Sequence, residues 1–437
     1  MTGNLAAPRL TPAELPSRAR RFGDWLSGHA TVIALVAVGL SFVIGAGYSL
    51  KLGSDLRFYD EHVYVGIVQS LAHGHGFSLD GTQPTAYRPP GYLFLLLPFY
   101  AATGGSVFAM RMVGVLALTG SVWFTYLLGR RVHTAGTGAL AALVVACYPL
   151  LIYTATTLYP QVPALFLLLL TIELAMRALP EEGASRLGYA VGAGLVGGLL
   201  VLTVPTFGVT AVGLIAWLAW RQHARSRRVS WRTVVVLLVA TAVLPAAWCA
   251  RNAVALHAFV PVSTNDGINL LLGNSPGTTA DSGTSVDISA YTKVATERHY
   301  GETELDHYYT GEAVHWITGN PGSAAALYAE KVANNFSFAD DLATASQGST
   351  AQNLVSAVSY YPILLLAVLR LLLYRRWPLR PTEKLVAWTI VVNVLLLAVF
   401  FTRLRFRVPL DGLTIVLAAS TVTNFLATRR GRQEEVA

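Results

Sequence analysis

Long uninterrupted apolar runs constrain this chain more than any other feature. Runs of about 20 apolar residues reach the length a helix needs to cross the hydrocarbon core of a bilayer. They recur from residue 30 to residue 427, and charge is confined to short clusters between them. Only 13% of the 437 residues are charged against 54% apolar, where a soluble domain carries about 25% charged residues. The chain therefore reads as an all-α polytopic membrane protein. Shorter, amphipathic runs would have left a soluble domain open. Cys147 and Cys249 both fall in apolar runs, at no metal-ligand spacing, and read as small buried residues.

Charge sets the expected topology. Arg9, Arg18, Arg20 and Arg21 precede the first apolar run, which is too long for a cleaved signal peptide and reads as a signal anchor. Further basic clusters lie at Arg130-Arg131, 221–232, 370–384 and 429–432. Positive-inside bias places all of them in the cytoplasm. About ten spans satisfy this, near 30–50, 107–129, 135–153, 161–178, 187–203, 205–221, 231–250, 354–374, 384–402 and 408–427. Both termini are then cytoplasmic, in a plasma (inner) membrane. The expected organisation is a cytoplasmic arm at 1–29, a transmembrane core at 30–250 with a first outer loop at 51–106, and a small extracytoplasmic α or α/β region at 251–353. C-terminal spans at 354–427 and a cytoplasmic tail at 428–437 complete it. The segment Gly91–Thr103 is apolar but short, and parity requires it to be interfacial or re-entrant.

The second outer region holds eleven of the 24 acidic residues. The net charge of +8 is then mostly cytoplasmic anchoring charge, with no implication of nucleic-acid binding. No internal repeat and few intramembrane charges are present, Glu173 being the clearest. That weighs against a pump or transporter and toward chemistry at a membrane surface.

Three clusters on the outer side carry candidate chemistry. Asp60-Glu61 opens a helical pattern that includes Tyr64. Carboxylates there are favoured by the helix dipole, or they serve as a general base or a metal-binding pair. Tyr87-Arg88-Pro89-Pro90 holds an arginine on an extended backbone, either as a rigid lead into the next helix or as a phosphate site. Arg403, Arg405 and Arg407 break the positive-inside trend and need lipid head groups, acidic loop residues or a bound phosphate. Their alternate spacing can split them between two faces.

These segments resemble the GT-C superfamily of polyprenyl-phosphate-sugar-dependent glycosyltransferases, and within it the protein O-mannosyltransferases and lipid A aminoarabinose transferases. The similarity rests on Asp60-Glu61-His62-Val63-Tyr64, Arg88-Pro89-Pro90-Gly91-Tyr92, Ala109-Met110-Arg111-Met112, Trp248 to Asn252, Phe259-Val260-Pro261, Gly267-Ile268-Asn269, Gly273-Asn274 and Arg405 to Leu410. The resemblance implies a mannosyltransferase-like enzyme of the cell envelope with GT-C architecture. Asp60 would be the base and Glu61 would orient it or the acceptor. Arg88, Arg403, Arg405 and Arg407 would bind the donor phosphate. Tyr64, Tyr87, Asn265 and Asn274 would line the substrate cavity. The implied partners are a polyprenyl-phosphate-linked sugar, a glycan, glycolipid or protein acceptor, and membrane lipids. No cofactor or metal is expected, although some relatives use a divalent cation. A flippase or exporter of a lipid-linked saccharide is the alternative, and it predicts repeats or a charged central cavity.

Overall fold

The computed structural model describes residues 18–179, 185–339 and 349–434. Arg9 and the rest of the arm before residue 18, residues 340–348 of the outer region and the last three residues lie outside that set. Every regular element among the described residues is a helix, apart from one isolated bridge between Ser78 and Pro84. The outer region is therefore α rather than α/β as far as it is described.

Six helices are long and apolar enough to span: Ala30–Leu52, Val107–Val132, Arg186–Thr203, Trp231–Leu256, Thr350–Arg375 and Leu404–Ala427. A seventh span results if Ala135–Cys147 and Pro149–Ala155, bent by 58°, count as one. Pro149 causes that break, since it has no amide hydrogen and holds Tyr148 in an extended conformation. The number is lower than the ten expected from charge. Two of the expected spans coincide with Gln161–Arg177 and Pro381–Leu397, 17 residues each. At about 1.5 Å per residue these rise about 26 Å. A third, near 205–221, is interrupted by the 3-10 turn Pro205–Phe207 before Gly208–Ser226.

Burial sorts the helices by position. Ala30–Leu52 exposes Val32, Leu35, Val36 and Val43, a surface suited to lipid rather than water. The last helix is the opposite case, with Val408, Leu413 and Val416 buried in the centre of the bundle. Its first turn therefore delivers Arg405 to the middle of one end. Cys147 is exposed and Cys249 partly exposed, so both sit on the surface of the bundle rather than in its core.

The two ends of the bundle differ. At one end Arg380 donates to the His133 carbonyl (2.8 Å), and Arg186 donates to Ser230 (2.6 Å). Arg370 pairs with Glu383, and Glu173 is neutralised by Arg131 and Arg177, each at 2.8 Å. Glu173 thus serves a structural ion pair. At the other end sit the first loop and the short helix Pro90–Thr103. This helix has 14 residues and falls below span length. It packs against Arg186–Thr203 so closely that a Cβ at Gly91 would lie 2.6 Å from the Thr203 hydroxyl.

Residues 266–334 form the helices Asp266–Gly273, Ser289–Glu297, Glu302–Gly319 and Pro321–Asn334 over this end. Glu302 staples them to the first loop. It accepts from the Thr85 hydroxyl (2.5 Å), the Ala86 amide (2.7 Å) and the Thr264 hydroxyl (2.6 Å). Arg251 adds donations to the Thr85 and Phe77 carbonyls and stacks on Trp248. Replacing Glu302 by Ala leaves three donors unpaired beside Arg88. Faster amide hydrogen exchange across residues 77–88 is the expected result, and unchanged exchange there would show that the staple is dispensable.

Candidate active site

The site begins with how the chain is led into Asp60. Arg111, buried, donates to the carbonyls of Gly53 and Asp55 (2.7 Å for the latter), fixing the exit from the first span. The helix Tyr59–Ala72 then starts from an extended Phe58. Glu61 in its first turn accepts from the amides of Arg57 (2.7 Å) and Phe58 (3.0 Å) with one oxygen. Its other oxygen accepts from the Leu158 amide (2.9 Å), 97 residues away. Glu61 is 1% exposed. Both its oxygens are occupied by backbone donors, so it positions the helix start and does not face substrate.

Asp60 points the other way. One carboxylate oxygen is paired with Arg88, and the other lies 2.9 Å from Nη2 of Arg405. Residues 317 positions apart in sequence, Arg88 and Arg405, flank one carboxylate. Arg88 is held by Pro89-Pro90 and stacked near the rings of Tyr64 and Tyr87, 5.6 and 4.7 Å from their centroids. Arg405 lies 4.4 Å from the Tyr159 ring centroid. Burial pushes the Tyr64 phenol up to about 12, so it stays neutral and available as a donor. The Nε atoms of Arg88 and Arg405 are buried and have no partner. One carboxylate against two guanidiniums leaves a net positive centre with unused donors, which is the requirement for holding an anion.

This centre opens into a cavity of about 170 Å³ lined by Asp60, Tyr64, Arg88, Tyr159 and Arg405. Phe400, Phe401, Phe406, Leu397 and Pro409 supply an apolar wall. Asn265 also lines the cavity, as the sequence suggested, and its Oδ1 accepts from Ser263 (2.9 Å).

Four sequence candidates lie elsewhere. Arg403 turns to the outer loop and donates to Thr284 (2.7 Å). Arg407 is buried against Asp411 (2.9 Å), donates to the Asn335 and Ser337 carbonyls, and stacks 3.6 Å from the Tyr360 centroid. The reason is helical geometry: positions 405 and 407 are about 200° apart around the axis, so only one can face the cavity. Asn274 donates to the carbonyls of Leu270 (2.9 Å) and Val399 (2.8 Å) and accepts from Lys331 (3.2 Å), a structural clasp. Tyr87 backs Arg88 without lining the cavity. The sequence reading missed Tyr159, Gln161, Asp266 and Asn269, which all line it. Asp266 and Asn269 bracket the Gly267-Ile268 step already singled out, but nothing local marks which way they face. Among the described residues, no three His, Cys, Asp or Glu side chains converge as a metal site.

The structure thus places a positively charged cavity at one end of a bundle of apolar helices, roofed by short helices. Residues 87–248 match the family model described as dolichyl-phosphate-mannose-protein mannosyltransferase. The fold is similar to the archaeal oligosaccharyltransferase AglB from Archaeoglobus fulgidus in complex with an inhibitory peptide and a dolichol-phosphate. That match has 14% identity and a TM-score of 0.51, covering 92% of this chain and 52% of that one. The apo form of the Archaeoglobus enzyme matches with a TM-score of 0.53 at 14% identity, over 94% of this chain and 52% of that one. ArnT from Cupriavidus metallidurans aligns at 16% identity over 91% of this chain and 78% of that one, with a TM-score of 0.40. No curated protein matches the chain. The chain spans about half the length of the archaeal enzyme. The chain thus shares its fold with the archaeal oligosaccharyltransferase, and its residues 87–248 resemble the mannosyltransferase family.

Proposed function

We propose that this protein moves a glycosyl group from a polyprenyl monophosphate to an acceptor hydroxyl at the extracytoplasmic face of the membrane, with inversion. The observation that carries this reading is the Asp60 carboxylate held between Arg88 and Arg405 beside an apolar wall. The wall suits a lipid tail, the guanidiniums suit its phosphate, and the carboxylate suits proton removal. Two further facts support it. The archaeal structure of similar fold was solved with dolichol-phosphate, a polyprenyl phosphate. The site also lies at the end of the bundle away from Arg131, Arg186 and Arg380, which positive-inside bias assigns to the cytoplasm.

In the reaction, the acceptor oxygen attacks the anomeric carbon while Asp60 takes its proton. The bond from that carbon to the phosphate oxygen breaks, and its electron pair leaves with the phosphate. Arg88 and Arg405 stabilise the charge that develops on the leaving group. Both arginines are paired with Asp60, so both of its oxygens are occupied. A donor phosphate competes for the same guanidiniums and thereby frees Asp60, so the donor binds before the acceptor's proton is removed. The sugar is a hexose or a pentose, and the acceptor is a glycan, glycolipid or protein.

The test is transfer in vesicles containing the purified protein, a hydroxyl-bearing acceptor extract and radiolabelled polyprenyl-phosphate sugars. Label is expected to leave the lipid fraction for the acceptor fraction. Label that crosses the bilayer while staying on lipid would replace this reading with lipid translocation.

A further inference from the structure

Two kinds of hydrogen-bonding group line the cavity besides Asp60. The buried Nε donors of Arg88 and Arg405 have no partner. Acceptors line it as well. Gln161 begins the helix Gln161–Arg177, is 6% exposed and lines the cavity, yet its Oε1 has no partner. A buried amide without a partner costs free energy that a merely structural glutamine would have recovered. Asp266, in the first turn of Asp266–Gly273, also lines the cavity, and its carboxylate makes no hydrogen bond or ion pair among the described residues.

A first-turn aspartate that served only its helix would be stabilised as an anion by the helix dipole. Asp266 shows the reverse. By surface area the side chain is exposed, yet the cavity walls displace water around it. That desolvation, and then the nearby Asp306, push its pKa up to about 6. Asp306 itself is engaged, accepting from the Gly267 amide (2.7 Å), so it cannot relieve Asp266. A buried amide oxygen without a partner and an unpaired carboxylate on the same cavity suit a ligand rich in donors. A sugar supplies them as hydroxyls, and a lipid phosphate supplies none.

We infer that Asp266 and Gln161 form a subsite that receives hydroxyl groups of the donor's sugar and so sets which sugar is transferred. The inference rests on the lipid-phosphate reading above and deepens it. The arginines hold the phosphate, and this subsite holds what the phosphate carries.

The full chain in nanodiscs is titrated with polyprenyl monophosphate and with polyprenyl-phosphate mannose, glucose and arabinose. Asp266→Ala and Gln161→Ala are expected to leave monophosphate affinity within about twofold while weakening at least one sugar-bearing lipid by about tenfold or more. Asp266→Asn, which keeps the shape, serves if the alanine variants do not fold. Wild-type affinity for that sugar lipid should fall as the pH drops through about 6, where Asp266 gains a proton. In the Asp266 variants this pH dependence should be absent. Three results would overturn the subsite: equal losses for monophosphate and sugar lipids, no loss for any lipid, or wild-type affinities no better for sugar lipids than for monophosphate. In each of these cases Arg405→Met is measured against monophosphate alone. Weakened binding there leaves the donor reading standing without the subsite, and unchanged binding removes the donor reading itself.

Discussion

Replacing Asp60 by Asn is expected to abolish glycosyl transfer and, at the same time, to tighten binding of polyprenyl monophosphate. The first effect follows from losing the proton acceptor. General-base assistance is worth about 10²- to 10⁴-fold in rate, and an amide cannot supply it. The second follows from the ion pairs. Each oxygen of Asp60 is bound to a guanidinium, from Arg88 and from Arg405. A phosphate must displace that carboxylate before it meets both arginines. Removing the negative charge removes the competitor. The side chains of Asp60 and Arg405 are 16% and 28% exposed. Partial screening therefore limits the gain to about 1 kcal/mol, or about fivefold in affinity. Calorimetric titration of the Asn variant with a polyprenyl monophosphate measures it. Weaker binding than wild type would mean that Asp60 helps to hold the lipid rather than masking its site, and the binding order proposed above would fail.

Arg405→Met should have the largest effect on the donor itself. It deletes one of two guanidiniums at the positive centre and strips Tyr159 of its stacked cation. A hydrogen bond to a charged group contributes about 1.5–3 kcal/mol, so ground-state binding of monophosphate should weaken by about 10- to 100-fold. The turnover rate should fall further, because charge grows on the phosphate as it leaves. Lys at this position should restore little, since a point charge cannot reproduce the planar fork. Arg407→Met is the informative contrast. Arg407 is 3% exposed and bound to Asp411 and two backbone carbonyls, away from the cavity. Its loss strands a buried carboxylate at a cost of about 3–5 kcal/mol. It should lower the thermal midpoint of the purified protein without a selective effect on lipid affinity in the fraction that folds. Equal donor defects in the two variants would count against the assignment of Arg405.

Much of this was legible in the chain before any coordinates. The apolar runs alone require a helical membrane protein, because only helices and closed barrels satisfy the backbone in lipid. The shortness of Gly91–Thr103 placed the first loop and the last helix at the same end, and the Asp60–Arg405 contact joins them there. Asp60, Arg88, Tyr64 and Asn265 all face the cavity. The span number was overstated because hydropathy and charge do not register a proline break at Pro149 or a helix ending at 17 residues. Tertiary structure alone decided the rest. It chose Arg405 over Arg407, since two residues of helix turn a side chain through about 200°, and over Arg403, which precedes the helix and donates to Thr284. Glu61 was turned from a catalytic partner into a backbone anchor by an amide 97 positions away. Asp266 and Gln161 were brought into one cavity although no local pattern links residues 105 positions apart. The sequence alone singled out Asp60, Arg88 and Arg405, which meet at one cavity. Which groups surround Asp60 depended on long-range packing, because facing direction is a property of the assembled bundle and not of any short segment.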